Sequence, residues 1–173
     1  MINNGAAFSH TSILGPNCIQ SLEVELNASV LGLVRMAHAF GPILKDNGGG
    51  AFVQINSIVA LKPIPVQATY TATKAASQSL TLLLQLAFAE QGTSVLSVLP
   101  GPFATGMVKG SGFADMAEPA SLCADEILAA LKRGDRHVFP GTIAGKIGQY
   151  YQDFRETIVE PDIEEVMGRL FGS

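Results

Sequence analysis

The stretch from Ala51 to Leu99 constrains this chain most. Two short apolar runs, Ala51–Asn56 and Thr93–Leu99, flank a long helical pattern over Gln67–Gln91. The first run places apolar side chains on both faces of a strand, as Phe52, Val53 and Ile55 show. Such a strand needs cover on both sides, which a parallel sheet between helices supplies. The second run, with Val95, Leu96, Val98 and Leu99, reads the same way. The expectation is an α/β chain with a parallel sheet. A length of 173 residues suits one domain with its own core.

Other elements follow from period and punctuation. Met1–Asn4 is hardly long enough for a strand, and Ala6–Pro16 reads as a loop rich in small and polar residues. Leu22, Leu26, Val30, Val34 and Ala37 recur at helical period, predicting a helix over Ser21–Leu44. Ser21 followed by Glu25 is a weak start signal; Asp46-Asn47-Gly48-Gly49-Gly50 is a strong stop. Asn27 falls on the apolar face of that helix, where it needs a hydrogen bond. Two readings fit: a side chain bonded to its own helix, or a group that holds a water. The Gln67–Gln91 helix has leucines around most of its circumference, which predicts burial on more than one side. Phe103–Glu118 lacks a clear period; it reads as a substrate lid or an ordinary surface loop. Pro119–Arg133 reads as a helix and Arg136–Phe139 as a short strand. Gly145–Phe171 reads as mostly helical with a break at Pro161.

Composition narrows the function classes. The chain is 47% hydrophobic and 15% charged, as globular proteins are. A net charge of −4 gives no electrostatic case for nucleic acid or an anionic membrane. The most apolar window, Leu80–Ala89, is far shorter than a membrane span, and the N-terminus lacks signal-peptide features. A cytoplasmic protein is therefore expected. Cys18, Cys123, His10, His38 and His137 show no metal-ligand spacing, so no metal site is expected.

The chemistry points to Tyr70 and Lys74. Four residues apart on a helix, they stack on one face. An ammonium beside a phenol favours the phenolate, so the tyrosine should be a stronger acid than usual. That would fit it for proton transfer near neutral pH. Ser57 lies thirteen residues earlier, at the end of the first strand. Strand, loop and helix can bring all three side chains to one point. The Tyr-x-x-x-Lys spacing alone also fits a surface tyrosine above a solvated lysine.

With its neighbours, this set resembles the active site of the short-chain dehydrogenase/reductase family. Asn3-Asn4-Gly5-Ala6 is similar to the family's Asn-Asn-Ala-Gly turn with its last two residues exchanged. Asn27, Ser57, Tyr70 and Lys74 match the family's catalytic positions in order. Pro100-Gly101, with Thr105 beyond, matches its Pro-Gly-x-x-x-Thr segment. The resemblance implies an oxidoreductase that uses NAD or NADP and acts on a small-molecule alcohol or carbonyl. It implies Tyr70 as general acid/base, Ser57 as holder of the substrate oxygen, and Lys74 as the group that lowers the tyrosine's pKa and binds nicotinamide ribose. Asn27 would anchor a proton-relay water. Asn3, Tyr70, Lys74, Pro100, Gly101, Phe103 and Thr105 would line the cofactor. The implied fold is a partial Rossmann-like, doubly wound parallel sheet, the C-terminal half only. Residues 1–173 would form a single truncated catalytic domain.

The family's glycine-rich fingerprint precedes its catalytic residues, and no such turn precedes them here. Gly141, Gly145 and Gly148 mimic a phosphate-binding turn, but their spacing and position match neither the Rossmann form nor the family's. A chain of this kind could alternatively be a non-catalytic module that pairs with a full-length relative. Either way, the leucine-rich helix predicts a homodimer or higher oligomer, since the family commonly pairs through it.

Overall fold

The computed structural model describes residues 1–109 and 111–172. Four parallel strands lie side by side in chain order: β1 (Ile2–Asn3), β2 (Gly50–Ile55), β3 (Thr93–Val98) and β4 (His137–Val138). Helices cover both faces, as the apolar strands require. Phe52 and Val53 are adjacent on β2 and root separate cores, because successive side chains on a strand point to opposite faces. Phe52 packs with Val95 and Leu33, against Leu44, Leu80, Leu84 and Phe88. Val53 packs with Leu96, Val98, Val138, Ile127 and Ala130. The chain is thus a partial Rossmann-like α/β fold. Among the described residues, no helix is long and apolar enough to cross a membrane.

The strand starts are closely set. Gly49 has a φ of 108°, and a Cβ there would come within 2.3 Å of the Gly92 carbonyl oxygen. Only glycine satisfies both the backbone conformation and that approach.

The predicted Ser21–Leu44 helix is three segments: α1 (Cys18–Glu25), a π-helical stretch over Leu26–Leu31, and α2 (Gly32–Asp46). The wider π turns rotate the face that an uninterrupted 3.6-residue period would bury. Glu25 and Ser29 turn inward and are fully buried. Asn27, expected on the apolar face, is exposed instead.

Helix α3 (Ala68–Ala89) also departs from expectation. Its buried side chains are largely polar: Thr69, Thr73, Lys74, Ser77, Gln78, Thr81 and Gln85. Leu83 and Leu86 are 58% and 61% exposed. Internal hydrogen bonds satisfy part of this polar face, while Thr69 Oγ1, Gln78 Nε2 and the facing Asn56 Oδ1 are buried without partners. Asn56 Nδ2 donates to Gln78 Oε1, Thr81 Oγ1 and Ser97 Oγ, at 2.9, 3.1 and 3.1 Å. Gln85 Nε2 donates to the carbonyls of Val95 and Arg136.

The remaining helices are α4 (Ala120–Arg133), α5 (Thr142–Phe154) and α6 (Ile163–Phe171), with a π turn over Arg155–Val159 after α5. The break expected at Pro161 separates that turn from α6. The glycines around the start of α5 serve packing. Glu118 accepts from Thr142 N at 2.7 Å and Thr142 Oγ1 at 3.0 Å, so the chain's own carboxylate takes the helix N-terminus. A Cβ at Gly141 would meet Glu118 Oε2 at 2.6 Å, and one at Gly148 would meet the Phe139 ring at 2.7 Å.

Candidate active site

In a parallel sheet of this kind, ligand sites form beyond the carboxyl ends of the strands. Here the ends of β2 and β3 are tied together. Asn56 N donates to the Val98 carbonyl at 2.7 Å, and Ile58 N to that of Pro100 at 3.2 Å. Gly101 N reaches the Pro140 carbonyl at 3.1 Å. This stitching fixes Ser57 and the Pro100–Gly101 segment relative to each other. Ser57 is extended, and its Oγ accepts from Val59 N at 3.3 Å, opening a 3₁₀ turn over Ile58–Ala60.

Helix α3 supplies Tyr70 and Lys74 from its first turns. Lys74 is only 2% exposed; its Nζ donates to the Ile55 carbonyl at 2.9 Å and lies 5.6 Å from the Tyr70 ring centre. Phe8 meets Tyr70 edge-on, with centroids 5.0 Å apart. Ser57, Tyr70, Lys74, Pro100, Gly101, Phe103 and Thr105 all line one cavity of about 730 Å³. Its wall is mostly apolar, with Val59, Ile64, Met107, Val108, Phe113 and Met116. Most of these belong to the Phe103–Glu118 loop, whose Gly110 lies outside the described residues. The base of the loop is pinned: Ala104 N donates to Glu118 O at 2.9 Å and Glu118 N to Pro102 O at 3.1 Å.

Two expected residues lie elsewhere. Asn3 is buried in the sheet, its Nδ2 donating to Gln54 Oε1 at 2.7 Å; the next residue, Asn4, lines the cavity instead. Asn27 accepts from Arg35 Nη1 at 3.0 Å on the exposed side of its helix. The helical period predicted that residue's face, and the π-helical stretch changed it.

The electrostatics also differ from expectation. Tyr70 was expected to be a stronger acid than usual; instead its phenol is pushed up to about 12. Burial is the largest cause and the Glu25 carboxylate adds to it, while a hydrogen bond with Ser57 opposes them. Burial likewise pushes Lys74 down to about 8. Desolvation, which disfavours either charged form, outweighs the attraction that spacing alone suggested.

Sequence reasoning passed over Phe8, Asn56 and Glu25. Phe8 sits in a loop without period. Asn56 looked like the end of a strand, and Glu25 like a helix-start signal. Among the described residues, no group of three His, Cys, Asp or Glu side chains could hold a metal ion.

Residues 1–114 match the family described as short chain dehydrogenase. The chain belongs to that family of oxidoreductases. It is 26% identical over 132 residues to an uncharacterized oxidoreductase of Staphylococcus epidermidis, covering 76% of this chain and 57% of that protein. It is 26% identical over 129 residues to a 3-ketodihydrosphingosine reductase of Bacteroides thetaiotaomicron, covering 75% and 48%. The chain therefore spans about half the length of these relatives. Among solved structures, it resembles a short chain dehydrogenase from Burkholderia cenocepacia in complex with NADP. There the TM-score is 0.77 and the identity 30%, over 92% of this chain and 68% of that one. A short-chain dehydrogenase from Sphingobium yanoikuyae in complex with NADPH gives 0.75 and 25%, over 90% and 62%.

Proposed function

We propose that this chain catalyses NAD(P)-dependent interconversion of an alcohol and a carbonyl, with Tyr70 as the general acid/base. One observation carries the reading: Ser57, Tyr70 and Lys74 converge on a single cavity with the Pro100–Thr105 segment. The NADP and NADPH complexes of the two solved relatives support the cofactor class. The reading takes residues 1–173 as one catalytic domain.

The residues present suit the nicotinamide-ribose end of such a cofactor. Lys74 has one protein acceptor, leaving two N–H groups for ribose hydroxyls. Gly101, Phe103 and Thr105 form the facing wall. When bound, the dinucleotide supplies or accepts the hydride. Ser57 Oγ holds the substrate oxygen beside the phenol. Tyr70 gives its proton to that oxygen in reduction and takes one from it in oxidation. Phe8 and the apolar wall exclude water and favour substrates with apolar flanks. The proposed set omits Asn3 and Asn27, whose side chains are engaged elsewhere.

The test measures turnover of apolar ketones with NADH and NADPH, alongside calorimetric cofactor binding. Tyr70→Phe should abolish turnover and leave cofactor affinity within a few-fold. Turnover near the wild-type rate in this variant would reject the assignment.

A further inference from the structure

A second, more open pocket of about 460 Å³ adjoins the cavity described above. Phe8 and Met107 line both, so the two spaces meet there. Three aromatic rings lead from one to the other. Tyr70 meets Phe8 edge-on at 5.0 Å, and Phe8 meets His10 edge-on at 6.0 Å. His10 Nε2 donates to the Ser111 carbonyl at 3.4 Å, which ties its ring to the Phe103–Glu118 loop. Ser111 lines the first cavity, and its Oγ donates to Val108 O at 2.8 Å and accepts from Phe113 N at 3.2 Å. Lys109 is the charged residue of the second pocket.

The charge on these walls is one-sided. The chain carries 15 acidic residues against 11 lysines and arginines, yet among the described residues no carboxylate lines either space. Lys74 and Lys109 are the charged side chains there. The nearby carboxylates are placed elsewhere. Glu25 is fully buried and accepts from Ser9 N at 2.5 Å. Glu118 takes the N-terminus of α5, and Asp115 lines neither space. Among the described residues Lys109 is in no ion pair. Its charge is left for a ligand, where it gives specificity.

We propose that the second pocket is an anion subsite of the active site, held by Lys109, and that the substrate is a ketone or alcohol with an apolar body and an anionic end group. The proposal rests on the reading of the first cavity as the place of alcohol–carbonyl interconversion. The carbonyl sits against Ser57 and Tyr70, the apolar body passes Phe8 and Met107, and the anion meets Lys109 beside the His10 ring. Lys74, Gly101, Phe103 and Thr105, which suit the cofactor, line the first cavity and not the second, so the charge recognised is the substrate's. A substrate ending in an ammonium group would meet like charge and no carboxylate.

The test follows the Met107 methyl signal by NMR in the full 173-residue chain, without cofactor. The ligands are a medium-chain methyl ketone with a terminal carboxylate, its methyl ester and the corresponding amine. The acid should bind about fivefold tighter than the ester at low salt, and the amine weakest. Lys109→Met should erase the preference for the acid, and Lys109→Arg should keep it; Lys109 is exposed, so both variants should fold. Equal affinity of the wild type for acid and ester overturns the proposal, as does no binding of the acid at millimolar concentration. A Lys109→Met variant that keeps the preference also overturns it, and a loss of NADPH affinity in that variant would then assign the subsite to the cofactor. Turnover by Tyr70→Phe would reject the catalytic reading, while this titration needs no turnover and still decides the subsite.

Discussion

The Lys74 ammonium lies 5.6 Å from the centre of the Tyr70 ring and donates its hydrogen bond to the Ile55 carbonyl. Helical spacing brought the two residues together, and burial decided their protonation. The phenol is held protonated and the lysine is pushed toward its neutral form. An added positive charge, such as a bound cation beside Lys74, would draw Tyr70 back toward its ordinary range.

The first prediction concerns alkaline stability. Lys74 has a pKa of about 8 in the folded chain against an ordinary 10.5. Between those values the unfolded chain binds the extra proton, so stability rises with pH. Tyr70 acts in the opposite sense. Its pKa goes from 10.0 to about 12, so its contribution is present below 10 and is lost as pH rises toward 12. Chemical denaturation across this range should show a rise followed by a fall. Lys74→Met should remove the rise and stabilise the chain at neutral pH, while turnover is lost. A profile of unchanged slope in Lys74→Met would contradict the assignment.

A second prediction concerns the polar network beneath the site. Asn56 donates to three side-chain acceptors and directly precedes Ser57. Asn56→Leu leaves Gln78 without its Asn56 donor in a fully buried setting. The expected loss is about 2–3 kcal/mol, read from urea denaturation. A variant as stable as wild type would show that the network is dispensable.

These two cases mark how far the sequence could be read. The strand–helix–strand core was legible because Phe52, Val53, Val95 and Leu96 are apolar on both strand faces. Tyr70 and Lys74 were legible because helical spacing alone puts them on one face. Helix α3 misled, because its leucines are partly outside and its threonines and glutamines inside. Hydropathy does not register a polar residue whose partners come from Asn56, Ser97 or the backbone. Asn27 misled because a π-helical stretch changes phase without a proline or glycine to announce it. Glu25 went unread for the same reason.

The exposed leucines lead to a third prediction. Leu83 and Leu86 stand on the outer side of α3, and a homodimer through this helix would cover them. Sedimentation should show a dimer at tens of micromolar, and Leu86→Glu should convert it to monomer. A soluble wild-type monomer at that concentration would reject the pairing.

The last prediction concerns acid. His137 is buried at the start of β4, with Tyr151 against its ring, and neither ring nitrogen has a hydrogen-bond partner. Its pKa is pushed down to about 4, by burial first and then by Arg155 and Arg136. Glu160 lies 3.6 Å from Nδ1 but also pairs with Arg155 at 3.2 Å, so it does little to support a protonated ring. The unfolded chain binds this proton near 6.5 and the folded chain only near 4. Stability therefore falls as pH drops between those values, by on the order of 3 kcal/mol from this group. His137→Phe keeps a ring against Tyr151 and cannot titrate. Its unfolding free energy should decline less steeply from pH 6.5 to 4 than that of the wild type. Equal slopes in the two proteins would mean that other groups govern the acid limb.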